Sequence, residues 1–255
     1  MKMRSGWLRA CGAGAVSLWL AACGGGGGGG GATLPDGAGA SSSSSSSSVA
    51  SVTPGAWGVI GSSSAAGAGA LAGQGWAALL QADYSGSQVT IRNLAVGGTV
   101  SYQGLPTGSS SMAGRPAPEP AANVTAALAA KPRLLLVSYP TNDTALGYAV
   151  SETVANLHAI RAAALAEGVP VILLSTQPRD LSSGLLARLV QIDEQLAALA
   201  GRCFVPVREA LAGPDGKLSA TYDAGDGVHP NAAGHVLIRD KIKAVIDSGA
   251  CVKAG

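Results

Sequence analysis

The sequence predicts a three-layer α/β/α sandwich around a five-stranded parallel sheet, the flavodoxin-like arrangement, on three observations. Short apolar runs alternate with helical patterns along residues 53–255. Two of those runs, Leu134-Leu135-Leu136-Val137 and Val171-Ile172-Leu173-Leu174, are apolar on both faces, as strands covered by helices on each side must be. Every residue suited to chemistry falls after the C-terminal end of an expected strand, where ligands bind in such folds.

The expected strands are Ala56–Ile60, Gln88–Leu94, Arg133–Tyr139, Pro170–Ser175 and Cys203–Val207. Between the third and fourth, Val150, Val154, Leu157, Arg161 and Leu165 mark a helix with its charged residue at the edge of the apolar stripe. Leu185, Leu189, Ile192, Leu196 and Leu199 have the three-and-four spacing of a buried helix face. A last helix is expected from Pro230 to Ile246, with proline in its first turn. Thr99–Pro120, rich in Gly, Ser and Pro, reads as a long surface loop. Strand–helix alternation of this kind implies right-handed crossovers.

Ahead of the domain stand two other segments. Residues 1–22 read as an export signal: Lys2, Arg4 and Arg9 precede an apolar run from Ala10 to Ala22 that is short for a membrane span. The run ends in Leu20-Ala21-Ala22-Cys23, which resembles the lipobox of bacterial lipoproteins. That resemblance implies lipidation of Cys23 and anchorage on the periplasmic or cell-surface face of a bacterial membrane, stable if more than one acyl chain is attached. Ordinary cleavage after Ala22 is the alternative. Residues 23–52 contain the homopolymers Gly24–Gly31 and Ser41–Ser48, which bury no apolar surface and make a flexible tether. A coil of about 30 residues separates its ends by roughly 30 Å.

Charge excludes one class of partner. Of 17 basic residues, setting aside Lys2, Arg4 and Arg9 leaves 14 against 15 acidic ones, and no basic stripe with interleaved aromatics occurs. Nucleic acid is therefore not an expected partner, and the domain is expected to be a monomer. With Cys11 removed and Cys23 lipidated, Cys203 and Cys251 are left to form a disulfide in an exporting environment, or to stay as two thiols. A bridge would close a loop worth about 4 kcal/mol and steady the segment between them.

Four segments carry chemistry. Gly61-Ser62-Ser63-Ser64-Ala65-Ala66-Gly67 follows the first strand, and a hydroxyl there faces the cleft beside backbone N–H groups that favour negative charge; Ser62, Ser63 and Ser64 are rivals on the residues alone. Gly97-Gly98-Thr99 follows the second strand, and glycine lets a backbone N–H approach a ligand. Asn142, after the third strand, offers a side-chain NH₂, or a simple turn. Asp226-Gly-Val-His229-Pro-Asn231 sets a carboxylate three residues before an imidazole, so that Asp226 can take the Nδ1 proton and leave Nε2 to act as a base. His158 and His235 read as surface or boundary residues. No cluster has metal-ligand spacing, and no cofactor or metal is required.

In order and spacing these segments resemble the SGNH, or GDSL-type, hydrolase family. The resemblance implies a nucleophile at Ser63, a triad of Ser63, His229 and Asp226, and an oxyanion hole from the N–H groups of Ser63 and Gly98 and the amide of Asn142. Two positions depart from the family pattern: Ser62 stands for its usual Asp, and Pro140 for its usual Gly. The implied activity is hydrolysis of carboxylic esters, with short acyl or acetyl groups expected on a small-molecule, lipid or acylated-carbohydrate substrate. Lysophospholipase or thioesterase action on longer chains, and a non-catalytic binding lipoprotein, are the alternatives. A nucleotide-binding domain fits less well, because the glycine-rich turn Ser63-Ser-Ala-Ala-Gly67-Ala-Gly69 lacks G-x-G-x-x-G spacing and Arg92-Asn93, rather than an acidic residue, ends the second strand. An α/β-hydrolase fits less well too, since Ala65 stands at the last glycine of its G-x-S-x-G elbow.

Overall fold

A computed structural model describes residues 52–139 and 141–251. The segments expected to be an export signal and a tether, with Cys23, lie outside the described residues up to residue 51; Val52 packs partly buried against the core.

Five strands form one parallel sheet: β1 (Gly55–Gly61), β2 (Val89–Asn93), β3 (Leu134–Ser138), β4 (Val171–Leu174) and β5 (Phe204–Val205), in the order β2-β1-β3-β4-β5. Each lies within the stretch expected for it, give or take a residue. The helices in chain order are α1 (Ser63–Ala66), α2 (Trp76–Asp83), α3 (Ser101–Gly104), α4 (Val124–Leu128), α5 (Asn142–Ala145), α6 (Val150–Ala166), α7 (Ser183–Ala200), α8 (Arg208–Leu211) and α9 (Ala232–Asp247).

Strand alternation divides the core between the two faces. Leu134 and Leu136 of β3 join Trp57, Val59 and Ile172 against Trp76 and Leu80 of α2 and Ile238, Ile242 and Ile246 of α9. Leu135 and Val137 turn the other way, with Ile60 and Leu173, onto α3, α4, α6 and α7. β1 and β3 are central, which explains why their side chains are buried on both sides.

Three local expectations need correction. In α6 the buried residues are Thr153, Asn156, Leu157, Ile160 and Ala164, whereas Leu165 is 42% exposed, so the inward face is rotated from the apolar stripe read in the sequence. The cause is a buried polar network: the Asp143 carboxylate accepts from the N–H and hydroxyl of Ser101, Asn156 Nδ2 donates to Ser101 Oγ at 2.9 Å, and Thr153 Oγ1 lies 3.4 Å from Asp143. Burial pushes the Asp143 carboxyl up, and those donors offset part of the effect. Hydrogen-bonded polar residues thus take core positions that a count of apolar residues cannot assign.

Thr99–Pro120 is not a surface loop throughout. Val100, Ser101, Tyr102 and Leu105 are buried, and α3 packs on the sheet. The remainder is held down by Arg115, whose guanidinium makes two hydrogen bonds to Glu152 at 2.7 and 3.0 Å and lies 3.8 Å from the Tyr148 ring centre. Pro230 is also outside the last helix. Asn231 caps α9, its Oδ1 accepting from Gly234 N–H at 3.0 Å, so proline precedes the cap.

Cys203 and Cys251 form a disulfide, with Cα atoms 4.9 Å apart. It ties the start of β5 to the chain just after α9, closing the interval that contains Asp226 and His229.

Candidate active site

β1 ends on Gly61, and a Cβ there would meet the Ser138 carbonyl oxygen at 2.1 Å. Only glycine allows this approach, which lets Ser62 N–H donate to Ser138 O at 2.9 Å and turns the chain sharply out of the sheet. The three serines then diverge. Ser62 Oγ is buried and accepts from Asn142 Nδ2 at 2.8 Å; Ser64 Oγ is buried and donates to Gln177 Oε1 at 2.6 Å. Ser63 Oγ alone lies beside the imidazole, 3.0 Å from His229 Nε2.

The imidazole is held by a tight local hairpin. Ala224 N–H donates to His229 O at 2.9 Å and Asn231 N–H to Tyr222 O at 2.7 Å. Asp226 Oδ2 lies 2.7 Å from His229 Nδ1, while Oδ1 accepts from the N–H groups of Val228 and His229. The hydrogen bond from His229 holds the Asp226 carboxyl down at about 2, so it is charged whenever the protein is folded at ordinary pH. A second carboxylate, Asp223, accepts from the N–H groups of Gly225, Asp226 and Gly227 and stiffens the turn. Asn231 adds Nδ2 bonds to Thr221 O and Asp223 O, coupling the turn to α9.

Gly98 follows β2 at φ +80°, a left-handed conformation natural to glycine. Its N–H and that of Ser63 form no hydrogen bond among the described residues. Asn142 opens α5, with Nδ2 also 2.9 Å from Thr99 O. The loop after β2 is tied to the first one by Asn93 Nδ2 donating to Ala65 O at 2.7 Å, and by Val96 N–H donating to Gly61 O at 3.1 Å. Ser63, His229 and Asp226 therefore stand together beyond the carboxyl ends of the strands, with Gly98 and Asn142 on the adjoining loops after β2 and β3.

Sequence reading missed four contributors. Gly69 has no room for a side chain: a Cβ would meet Pro230 O at 2.3 Å and His229 Cβ at 2.9 Å, so this glycine lets the loop after α1 close on the imidazole's backbone. His235, read as a surface or boundary residue, is fully buried. Its Nδ1 accepts from Trp76 N–H at 3.2 Å and its Nε2 donates to Ala68 O at 2.9 Å, bracing the same loop from α9. Burial holds its pKa down and keeps it neutral. Arg179, in the segment after β4, donates from Nη1 to Asn142 Oδ1 at 3.2 Å. Asp223 is the fourth, and its position three residues before Asp226 was the one visible hint. His158 is exposed, as expected.

A cavity of about 380 Å³ opens beside Ser63. Ala66, Ala68, Ala70, Leu71, Ala78 and Gly97 help to line it, and no charged side chain does. None of its lining residues comes from Thr99–Pro120. Among the described residues no three or more His, Cys, Asp or Glu side chains gather as a metal site would require.

Residues 59–237 match the model of the GDSL-like lipase/acylhydrolase family, and the chain belongs to that family of serine ester hydrolases. Esterase TesA of Pseudomonas aeruginosa is 28% identical over 189 residues, covering 72% of this chain and 84% of that protein. A crystal structure of TesA superposes with a TM-score of 0.58 at 26% identity, covering 75% of this chain and 98% of that one. The psychrotrophic esterase EstA from Pseudoalteromonas sp., in a structure inhibited by monoethylphosphonate, shares the fold at a TM-score of 0.56 and 20% identity, covering 76% and 97%.

Proposed function

We propose that this protein hydrolyses short-chain carboxylic esters by acyl transfer through Ser63, with His229 as general base and acid and Asp226 as its orienting carboxylate. The observation that carries this reading is the unbroken chain Ser63 Oγ–His229 Nε2, His229 Nδ1–Asp226 Oδ2, at 3.0 and 2.7 Å. In the first step the Ser63 hydroxyl oxygen bonds to the ester carbonyl carbon while its proton passes to Nε2. Negative charge on the carbonyl oxygen is met by the N–H groups of Ser63 and Gly98 and by Asn142 Nδ2. The imidazolium then protonates the departing alcohol, and water, deprotonated by His229, releases the acid and restores Ser63. Asp226 stays ionised throughout and stabilises the imidazolium.

A short acyl group fits within the cavity beside Ser63, whose volume is of ligand-pocket size, about 300–1,000 Å³. Its uncharged lining of small residues suits a hydrocarbon group. We place the protein outside the cytoplasm, anchored through a lipid on Cys23 and tethered by residues 24–52; loss of labelled fatty acid from a Cys23→Ser variant is the expected result.

The test is direct. A fluorophosphonate should label the wild-type protein and fail on Ser63→Ala, which should lose turnover by about 10⁴–10⁶. Ser64→Ala should keep most of it; the reverse pattern would move the nucleophile. Rates on nitrophenyl esters from acetate to palmitate should peak at the short end, and a peak at dodecanoate or beyond would sink the chain-length assignment.

A further inference from the structure

The Asn142 amide is gripped at both ends by groups that leave it one orientation. Nδ2 donates to Thr99 O at 2.9 Å, and a carbonyl oxygen can only accept. Oδ1 accepts from Arg179 Nη1 at 3.2 Å, and a guanidinium can only donate. Rotating the amide by half a turn would set oxygen against oxygen at Thr99 and NH₂ against a cation at Arg179. Arg179 is half-buried and, unlike Arg115, Arg208 and Arg239, pairs with no carboxylate among the described residues. Its place is secured by the next residue: Asp180 N–H donates to Gly227 O at 2.7 Å, which binds this loop to the turn carrying Asp226 and His229.

We propose that Arg179 is a positioning residue that holds Asn142 with its Nδ2 edge toward the oxyanion site and, through a charge-assisted hydrogen bond to Oδ1, makes the amide N–H groups stronger donors. The inference rests on the reading of Asn142 as an oxyanion donor. Of the two N–H groups, the one on Ser62 Oγ can pass to a developing oxyanion without rotation of the amide, because the Ser62 hydroxyl rotates and can exchange acceptor for donor. The bond to the Thr99 carbonyl is kept. The Ser62 hydroxyl carries no charge of its own, so the only charge acting on this amide through a hydrogen bond comes from Arg179, at the opposite edge.

Steady-state kinetics of the full chain on a neutral nitrophenyl ester provide the test, using Arg179→Met, Arg179→Lys, Arg179→Ala, Asn142→Ala and the double variant Asn142→Ala/Arg179→Met. Arg179→Met should lower kcat by about 10-fold, the scale of one charged hydrogen bond, with KM nearly unchanged. Arg179→Lys should recover part of the loss, and guanidinium ion added to Arg179→Ala should raise kcat toward the wild-type value. In the Asn142→Ala background, removing Arg179 should cost nothing more, because the group it positions is gone.

The inference is overturned if Arg179→Met keeps the wild-type kcat, if its whole effect is on KM, or if it costs the same factor with and without Asn142. Should Arg179→Met fold poorly, Arg179→Lys and the guanidinium titration of Arg179→Ala decide the matter. A separate outcome marks failure of the premise: if Asn142→Ala alone loses less than about 10-fold, Asn142 is not an oxyanion donor, and the role assigned to Arg179 falls with it.

Discussion

The two halves of the active site are held in place by different means. Ser63 and its neighbours are fixed by the sheet: Gly61 lies against Ser138 of the adjoining strand, and Ser62 and Ser64 are buried and hydrogen-bonded to residues 80 and 113 positions away. His229 and Asp226 are fixed mainly by their own segment, with outside support from Asp180 N–H on Gly227 O and from the close approach of Gly69. The Asp226 side chain is 50% exposed, and its hydrogen bonds, like those of Asp223, all fall within a few residues. A nucleophile anchored by strands inherits the rigidity of the core, whereas an acid–base pair on a hairpin depends on a handful of local bonds. The contrast implies that the two halves should fail differently when perturbed.

The sharpest separation should come from Asp226→Asn. At pH 7 this should lower kcat by about 10³–10⁴ while the fold survives, since the half-exposed side chain contributes little packing. Lowering pH is a poor substitute. The folded-state pKa of Asp226 is depressed, so its contribution to stability is complete above its ordinary value of 3.8 and is lost only as pH falls through about 2. Activity that vanished together with the folded state in Asp226→Asn, as judged by circular dichroism, would erase the distinction.

Cys203→Ser/Cys251→Ser should act on the frame rather than the chemistry. About 4 kcal/mol of stability should be lost in denaturant unfolding, with kcat preserved under conditions where the protein stays folded. Next in size is Asp223→Ala, which leaves three backbone N–H groups of the turn without their acceptor. It should cost about 10-fold in kcat through misplacement of His229, with less than about 2 kcal/mol in stability. A large stability loss without a rate effect would mean that the hairpin is held by the core after all.

His235→Leu probes the join between the halves. It would leave the buried Trp76 N–H unpaired, at about 1–3 kcal/mol, and remove the donor from the partly buried Ala68 O at a smaller cost. The sign of its pH effect is fixed. His235 has a depressed pKa in the folded state, so its stabilising role is complete above its ordinary value of 6.5 and declines as pH falls below it, when the unfolded chain gains a proton that the folded one resists. The smallest expected change is accordingly a shallower loss of stability between pH 6.5 and 5 in His235→Leu than in the wild type.

What was legible in the sequence follows the same division. The sheet was readable because β3 and β4 are buried on both faces and write uninterrupted apolar runs. Asp226 and His229 were readable because their contact spans three residues. α6 was misread because Thr153 and Asn156 enter the core through hydrogen bonds to partners on other segments. His235 and Arg179 were invisible for a related reason: their partners, Ala68, Trp76 and Asn142, are 167, 159 and 37 residues away.

The sequence by itself therefore determined the succession of the five strands and of the three longest helices, α6, α7 and α9, the ends at which chemistry gathers, and the local pairing of carboxylate with imidazole, because periodicity and short spacings are properties of adjacent residues. Only the tertiary structure decided which of three consecutive hydroxyls meets the imidazole, why Gly61 and Gly69 admit no side chain, and which distant groups orient Asn142. Those outcomes depend on the separation of side chains brought together by the packing of β1, β3 and α9, and that separation is not a function of position along the chain.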